Sequence, residues 1–499
     1  MRSDCSGLAA RADVQSRVGS TPKDGTEFAL GSRQERTMTQ ELGVGLAYHS
    51  SLSDFVASSI EGIDVLEIDS SPWLARGDGE ALLDLARIPC AKIVRVLPVG
   101  ASRLPDPAFL PRLRDFAAAL DAHWVTGELA FHRAQVAEEK GQDSDTGLLL
   151  PLRQTVGGAR LAAHSARSVG GELKAPFALR GVGNYLKPRR DEISDGEFLG
   201  EVAEDADCGI VLDLGSLWIN AANGRQPVAD FLDEIPLERV WDLRLGCGNQ
   251  RNGYGFGARP GAILEALVEI AASLVPRLSN LRAIVFEIHP NSVPRLGASG
   301  LSEQLRILRS LWGERRNGGG TPYRKRRRSS RWRHERWITP REWEDALGGL
   351  VVGRNVRGPL AEELLRDPGL AVARRLLSES RASMVKKHLV LTSRLVIAAS
   401  GPAFFRSLLE AYWKREAPSP EAPLEALGFA RHLATLALDI PYFAEVLDYE
   451  RAVVASLIDG EKRFVSFQHD PEVVLRALAK GRLPGDPSPG SFEVEIASA

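Results

Sequence analysis

Between residues 43 and 289, short β-rich runs alternate with longer helical stretches, and this alternation constrains the fold more than any other feature. The runs are GVGLAYH (43–49), IDVLEID (63–69), KIVRVLP (92–98), HWVTGELA (123–130), PFALRGV (176–182), GIVLDL (209–214), RVWDLRL (239–245) and AIVFEIH (283–289). Between them, segments such as GEALLDLARI and GAILEALVEIAASLV repeat apolar residues at spacings of three and four, as a helix with one buried face requires. Ser194 and Glu197 have the spacing of a capping box ahead of FLGEVA. Strictly alternating strands and helices predict parallel strands with helical crossovers, and eight such units in about 270 residues predict a (β/α)8 TIM barrel, an α/β fold. A doubly wound open sheet normally has fewer strands, and no glycine-rich phosphate fingerprint follows any run here. GVGNYL, after the fifth run, is too short and too polar to serve as one.

In such a barrel the functional residues gather where strands end at the C-terminal face. His49 closes the first run, Glu67 and Asp69 the second, Glu128 the fourth and Arg180 the fifth. Asp213 closes the sixth, Arg244 the seventh, and Glu287 with His289 the eighth. Residues two apart on a strand share a face, so Glu287 and His289 are expected on one side. Unpaired buried charge costs several kcal/mol apiece, so a ring of this kind must pair internally, ligate a cation or face water. His49, Asp69, Glu128, Asp213, Glu287 and His289 supply carboxylates and imidazoles suited to one or two ions such as iron, manganese or zinc. Arg180 and Arg244 would then bind an anion or act as counterions. The same residues equally make a metal-free salt-bridge network, and sequence spacing does not choose between the two.

Other chemistries have weaker support. No GxSxG elbow is present, and Cys247 in RLGCGNQ has no assigned histidine base, which suits a small buried apolar residue. HExxH zinc motifs are absent, and His123, His132 and His164 have no partner spacing. The four cysteines, Cys5, Cys90, Cys208 and Cys247, form no CxxC pair, which argues for a reducing compartment and against a thiolate zinc site. A net charge of −2 over 499 residues argues against a general polyanion binder. No apolar run reaches the roughly 18–20 residues needed to span a bilayer, and residues 1–40 lack the apolar core of a secretory signal. A disordered leader and a cytoplasmic protein are the expectations.

Residues 313–337 hold ten Lys or Arg and two Glu around a glycine run, and they predict a flexible basic linker. Contact with nucleic acid is the less favoured reading of that block. From residue 338 to about 480 the pattern is mainly helical. PAFFRSLLEAYWKRE and PYFAEVLDYERAVVASLID carry strong apolar stripes with Pro402 and Pro441 at their first turns, and the short strand RFVSFQ follows. Residues 481–499 read as a tail with one edge strand.

The barrel segment, roughly 42–312, resembles the multinuclear non-haem iron-dependent oxidases, the family of the methanobactin-biosynthesis oxidase and related peptide-modifying enzymes. IVLDLGSLWINAAN stands where that family has a run like LLDVNNVYVSAVN, and VFEIHPNSVP where it has one like IEWDANIP. PVADFLDEIPLERVWDLRLGCG stands where it has a helix, PLERV and a strand ending HLAGH; GVGLAYH matches its opening strand. The resemblance implies that barrel-end side chains hold iron and that oxygen is used to rework residues of ribosomally made peptides. His49, Asp213 and Glu287 match ligand positions, and Asn223 matches a common asparagine. The departures are specific. Asp69 and Glu128 stand where histidines are usual, Arg180 replaces a glutamate, Arg244 and Gly248 replace both histidines of HLAGH, and His289 replaces an aspartate. Gly215 and Ser216 replace an asparagine pair. Two arginines beside a cation remove coordination and add like charge, which argues against a three-iron cluster. IPYFAEVLDYERAVVASL resembles part of the helical partner proteins that present peptides to such barrels, so the expected architecture is an enzyme fused to its partner. Three functions follow as expectations: a divergent iron oxidase with one or two ions acting on a precursor peptide, a catalytically inactive peptide-binding scaffold, and a metal-dependent sugar isomerase or lyase. The last needs a lysine or histidine base beside the metal, and no strand ends in lysine.

Overall fold

A computed structural model describes residues 40–76, 79–103, 108–135, 143–246, 248–251, 254–257, 261–315 and 338–497. The expected leader, the basic linker from residue 316 on, and Cys247 lie outside them.

All eight predicted strands form. They are β1 (Gly43–Tyr48), β2 (Val65–Asp69), β3 (Ala91–Pro98), β4 (Val125–Glu128), β5 (Phe177–Arg180), β6 (Gly209–Asp213), β7 (Val240–Gly246) and β8 (Ala283–Glu287). Each pairs in parallel with its neighbour in chain order, and β8 closes onto β1 through Val44 opposite Ile284 and Leu46 opposite Phe286. The expected TIM barrel is the observed one. Strand periodicity sorts the side chains into two cores. Val44, Leu46, Leu66, Val94, Leu212, Leu243 and Phe286 face the helices within one continuous apolar cluster. Val65, Ile93, Trp124, Ala178, Val211, Trp241, Ala283 and Val285 form a separate cluster filling the lower barrel interior. Residues two further along those same strands (Glu67, Arg95, Arg180, Asp213, Glu287) continue the inward face toward the C-terminal end. Local signals also hold: Ser194 caps Asp195–Ala206, accepting from the Glu197 amide.

The polar end of the barrel is covered. After β4 the chain makes an antiparallel ribbon, Ala130–Ala134 with Ser144–Pro151. The helix Pro340–Val351, started by a Thr339/Glu342 capping box, packs on this ribbon. Gly348 meets Ala134 and Thr146 so closely that a Cβ would lie 2.5 Å from the Ala134 Cβ. Gly147 sits in the ribbon at φ +71°, where a side chain would also strike Leu377 and Pro418. Trp343 is buried and donates its Nε1–H to the Pro151 carbonyl at 3.0 Å. Its replacement by Phe keeps an aromatic ring but strands that carbonyl, and a loss of about 1–3 kcal/mol in urea unfolding is expected. Arg103, in the loop after β3, joins Asp143 at 2.7 Å to the buried Glu344 at 2.7 Å. The helix Pro368–His388 begins against the loop after β5, where Asp367 accepts from the amides of Gly369 (2.9 Å) and Lys187 (3.0 Å).

One apolar cluster therefore runs from the barrel through Trp343, Leu347, Leu364 and Leu370 to Leu377. A second begins only at Val385 and is built from Val390–Arg415, Ala422–Ala434, Phe443–Asp459 and Pro471–Ala479. The C-terminal region expected from residue 338 is mainly helical, as its periodicity predicts, and its first helices share the barrel's core. Val390–Arg415 breaks at Gly401 (φ 84°), so a new helix starts at Pro402. In the expected tail, Pro489–Ile496 pairs antiparallel with Arg463–His469. Among the described residues no single helix is long and apolar enough to cross a membrane.

Candidate functional site

The strand-end charges do converge, and their hub is Glu287. It lies opposite three guanidinium groups: Arg180 at 3.0 Å, Arg95 at 3.3 Å and Arg244 at 3.5 Å. Each arginine also holds acids of its own. Arg180 binds Asp213 through Nε (3.0 Å) and Nη2 (2.6 Å) and lies 3.7 Å from Glu128. Arg95 binds Asp69 at 2.8 Å. Arg244 pairs with Glu67 and lies 3.3 Å from Asp242. Asp213 and Glu287 thus share one guanidinium, although 74 positions (287 minus 213) separate them.

Folding places these groups by register. Asp69 lies beside Arg95 on neighbouring strands, Glu128 beside Arg180, and Asp213 beside Arg244. Asp213 has a second task, because it caps Leu214–Ala222 by accepting from the Ser216 amide at 3.1 Å and hydroxyl at 2.7 Å. The ring has a wet and a dry layer. The side chains of Arg244, Glu67 and Asp242 are at most 1% exposed, whereas those of Glu287 and Asp69 are about a third exposed. Burial alone would push Glu287 up, but Arg180, Arg244 and Arg95 outweigh it and hold its carboxyl well below the usual range. Burial raises Glu128 despite Arg180 and Arg95. It pushes Asp242 up to about 7, with Arg244 opposing.

The Asp242 shift carries a pH signature. Between its unfolded value near 4 and its folded value near 7, the folded chain holds the proton more tightly than the unfolded chain does. Unfolding free energy therefore falls as pH rises through that window, at no more than about 1.4 kcal/mol per pH unit for this one proton. Asp242→Asn is expected to flatten this slope in urea titrations from pH 4.5 to 7.5, and an unchanged slope would contradict the assignment.

The two histidines lie at the margin. His49 follows β1, its Nε2 is 3.1 Å from the Ile288 carbonyl, and its buried Nδ1 has no hydrogen-bond partner among the described residues. Burial lowers its pKa. His289 is exposed, and its Nδ1 accepts from the Asn291 amide at 3.2 Å, closing the turn after β8. The expected pairing of Glu287 with His289 on one wall gives way to this turn, because β8 ends at Glu287. Asn223 is buried and serves the loop after β5: its Nδ2 donates to the Asn184 carbonyl, and its own carbonyl accepts from Lys187 Nζ at 2.6 Å.

Two members of the ring escape a reading of strand ends alone. Arg95 lies inside the apolar run KIVRVLP, and Asp242 lies two residues before Arg244. The available signal was a charge in the middle of a run otherwise apolar on both faces.

The donor set as arranged does not fit a cluster of two or three irons. Every carboxylate of the ring (Glu67, Asp69, Glu128, Asp213, Asp242 and Glu287) has a guanidinium nitrogen within 3.7 Å. Among the described residues, no group of three His, Cys, Asp or Glu side chains is placed to hold a metal ion. Chemically, the mouth is an electrostatic network with a dry floor and a partly hydrated rim. Beside it opens a cavity of about 350 Å³, bounded by Glu128 and Arg180 on the barrel and by Leu347, Ala373 and Leu376 on the C-terminal helices.

Residues 42–298 match the family described as RiPP precursor modification enzyme MbnB/TglH/ChrH. A UPF0276 protein of Streptomyces avermitilis is 26% identical over 242 residues, which cover 47% of this chain and 49% of that protein. The chain thus spans about half of that relative's length. A UPF0276 protein of Anaeromyxobacter is also 26% identical, over 47% of this chain and 81% of its own length. One of Shewanella loihica is 27% identical, over 42% and 73%. Solved structures with a similar chain path include a D-psicose 3-epimerase (14% identity, TM-score 0.35, covering 54% of this chain and 97% of that one). An L-ribulose 3-epimerase is comparable (13%, 0.37, 56% and 96%). At these scores neither bears on function.

Proposed function

Because this chain belongs to the family of RiPP precursor modification enzymes MbnB/TglH/ChrH, we propose that its barrel mouth receives a ribosomally made precursor peptide presented by its own C-terminal helices. The observation that carries this reading is the cavity shared by strand-end residues Glu128 and Arg180 and by helix residues Leu347, Ala373 and Leu376. A peptide lying there touches both parts of the chain at once. The ring beside it recognises the peptide by charge. Two guanidinium groups, Arg180 and Arg244, stand where the resemblance places metal ligands, and Arg95 adds a third beside Glu287, so the inactive or metal-free binding scaffold is the better-supported form of the family's activity. Selection of a random displayed peptide library on the full chain tests this. Selected peptides bearing a benzophenone should crosslink both to the loop after β5 and to Pro368–His388. No enrichment, or crosslinks confined to the exposed face of Phe443–Asp459, would contradict it.

A second reading, an iron-dependent oxidase retaining one ion, is favoured by the buried His49 Nδ1 that lacks a partner among the described residues. Its ligands would come from His49, Asp69, Glu128, Asp213, Glu287 and His289, with Arg180 holding a substrate carboxylate; the role expected for Arg244 there is not available to it, because it is wholly buried against Glu67 and Asp242. For this arrangement Arg95 and Arg180 would have to release Asp69, Asp213 and Glu287.

A further inference from the structure

The cavity beside the ring has a composition that narrows what can enter it. Its walls are apolar: Leu150, Leu186 and Ile219 from the barrel side, Leu347, Ala373 and Leu376 from the C-terminal helices. Its rim includes Leu149, which is 40% exposed, so the cavity is reached from solvent. Its charged lining residues are Arg180 and Glu128. Arg180 Nη1 is buried with no hydrogen-bond partner among the described residues, and the Glu128 carboxylate lies 3.7 Å away. A donor and an acceptor side by side in a largely apolar cavity suit a group that both accepts and donates one hydrogen bond. At about 350 Å³ the space lies at the low end for ligand pockets, about 300–1,000 Å³, enough for one large side chain with its flanking backbone.

We propose that this cavity is a specificity pocket for a tyrosine residue of a bound peptide, with the ring against the leucine walls and the phenol oxygen between Arg180 and Glu128. A buried donor left unmet costs more than a met one gains, so a tyrosine that completes the pair is favoured over a phenylalanine that cannot. A lysine or arginine side chain would meet the Arg180 guanidinium head-on. This inference rests on the peptide reading above, and it adds the residue type that the mouth selects.

The probes are N-acetyl-tyrosinamide, N-acetyl-phenylalaninamide and N-acetyl-lysinamide, titrated against the full chain by ligand-observed NMR. The tyrosine amide is expected to bind at least about fivefold more tightly than the phenylalanine amide, the ratio of a single net hydrogen bond being the floor for a phenol that makes two, and the lysine amide not measurably. Leu376→Trp, at a half-buried wall position, is expected to remove tyrosinamide binding, as is Ala373→Trp. Leu149→Asp at the rim, where misfolding is not at issue, is expected to weaken it at least threefold. Equal affinity for the tyrosine and phenylalanine amides, or tyrosinamide binding unchanged in a folded Leu376→Trp variant, would overturn the assignment. The two proposals fail separately. Displayed peptides that still bind Leu376→Trp would sink the pocket and leave the peptide reading standing. Pocket-dependent tyrosinamide binding with no displayed peptide enriched would do the reverse.

Discussion

Arg244→Met is expected to lower the free energy of unfolding by about 3–5 kcal/mol, the cost of removing one partner from a buried ion pair. Arg244 is wholly buried, and so are the two carboxylates it serves, Glu67 and Asp242. Without the guanidinium those acids have no cation in the dry layer, and one or both must take up a proton to remain inside. The loss should therefore be larger at pH 8 than at pH 5. The triple variant Arg244→Met/Glu67→Gln/Asp242→Asn removes the charges together and should regain at least half of the loss, since coupled sites are not additive. Urea unfolding in metal-free buffer reads both. A single variant within about 0.5 kcal/mol of wild type would mean that Arg244 does not hold the floor of the ring.

Arg180→Ala has the second large effect, and it is a gain. Arg180 is the cation between Asp213, Glu287 and Glu128. Two unit charges at 4 Å interact by about 4 kcal/mol at an effective dielectric constant of 20. Even a third of that, about 1.4 kcal/mol, is tenfold in an equilibrium constant. Removing the guanidinium should therefore destabilise the metal-free chain and raise its affinity for Mn2+ at least tenfold over wild type. In thermal unfolding, Mn2+ should rescue Arg180→Ala and leave wild type unmoved, because a ligand stabilises only the state it binds. If Mn2+ moves neither protein, Asp213, Glu287 and Glu128 do not face a common space.

The barrel was legible because its signal is local. Each strand is an apolar run of ordinary length, each helix has its own period, and chain order alone predicts their parallel neighbours. The convergence of Asp213 and Glu287 was legible for the same reason, since both sit at strand ends. What the ring does with its charge was not. Whether Glu287 meets a metal or three arginines depends on side-chain reach across strands far apart in sequence, as with Arg95 and Glu287, 192 positions distant. Arg95 reads as an interruption of a buried strand until Asp69 and Glu287 are seen around it. His289 misleads in the opposite way, because alternation applies only while the strand lasts and β8 stops at Glu287. The docking of Pro340–Val351 was hidden too. Its stripe announces that it buries one face, but only the complementary fit of Gly348 and Trp343 against the ribbon after β4 says where.

In the proposed scaffold, guanidinium groups rather than metal ions neutralise the acids at the barrel mouth. Loading the wild-type chain anaerobically with Fe2+, desalting it and counting iron by mass spectrometry tests this most directly. Ligand deprotonation and a preformed site are both needed for retention, so below about 0.1 iron per chain is expected. Retention of about one iron per chain, lost in His49→Ala, would contradict it.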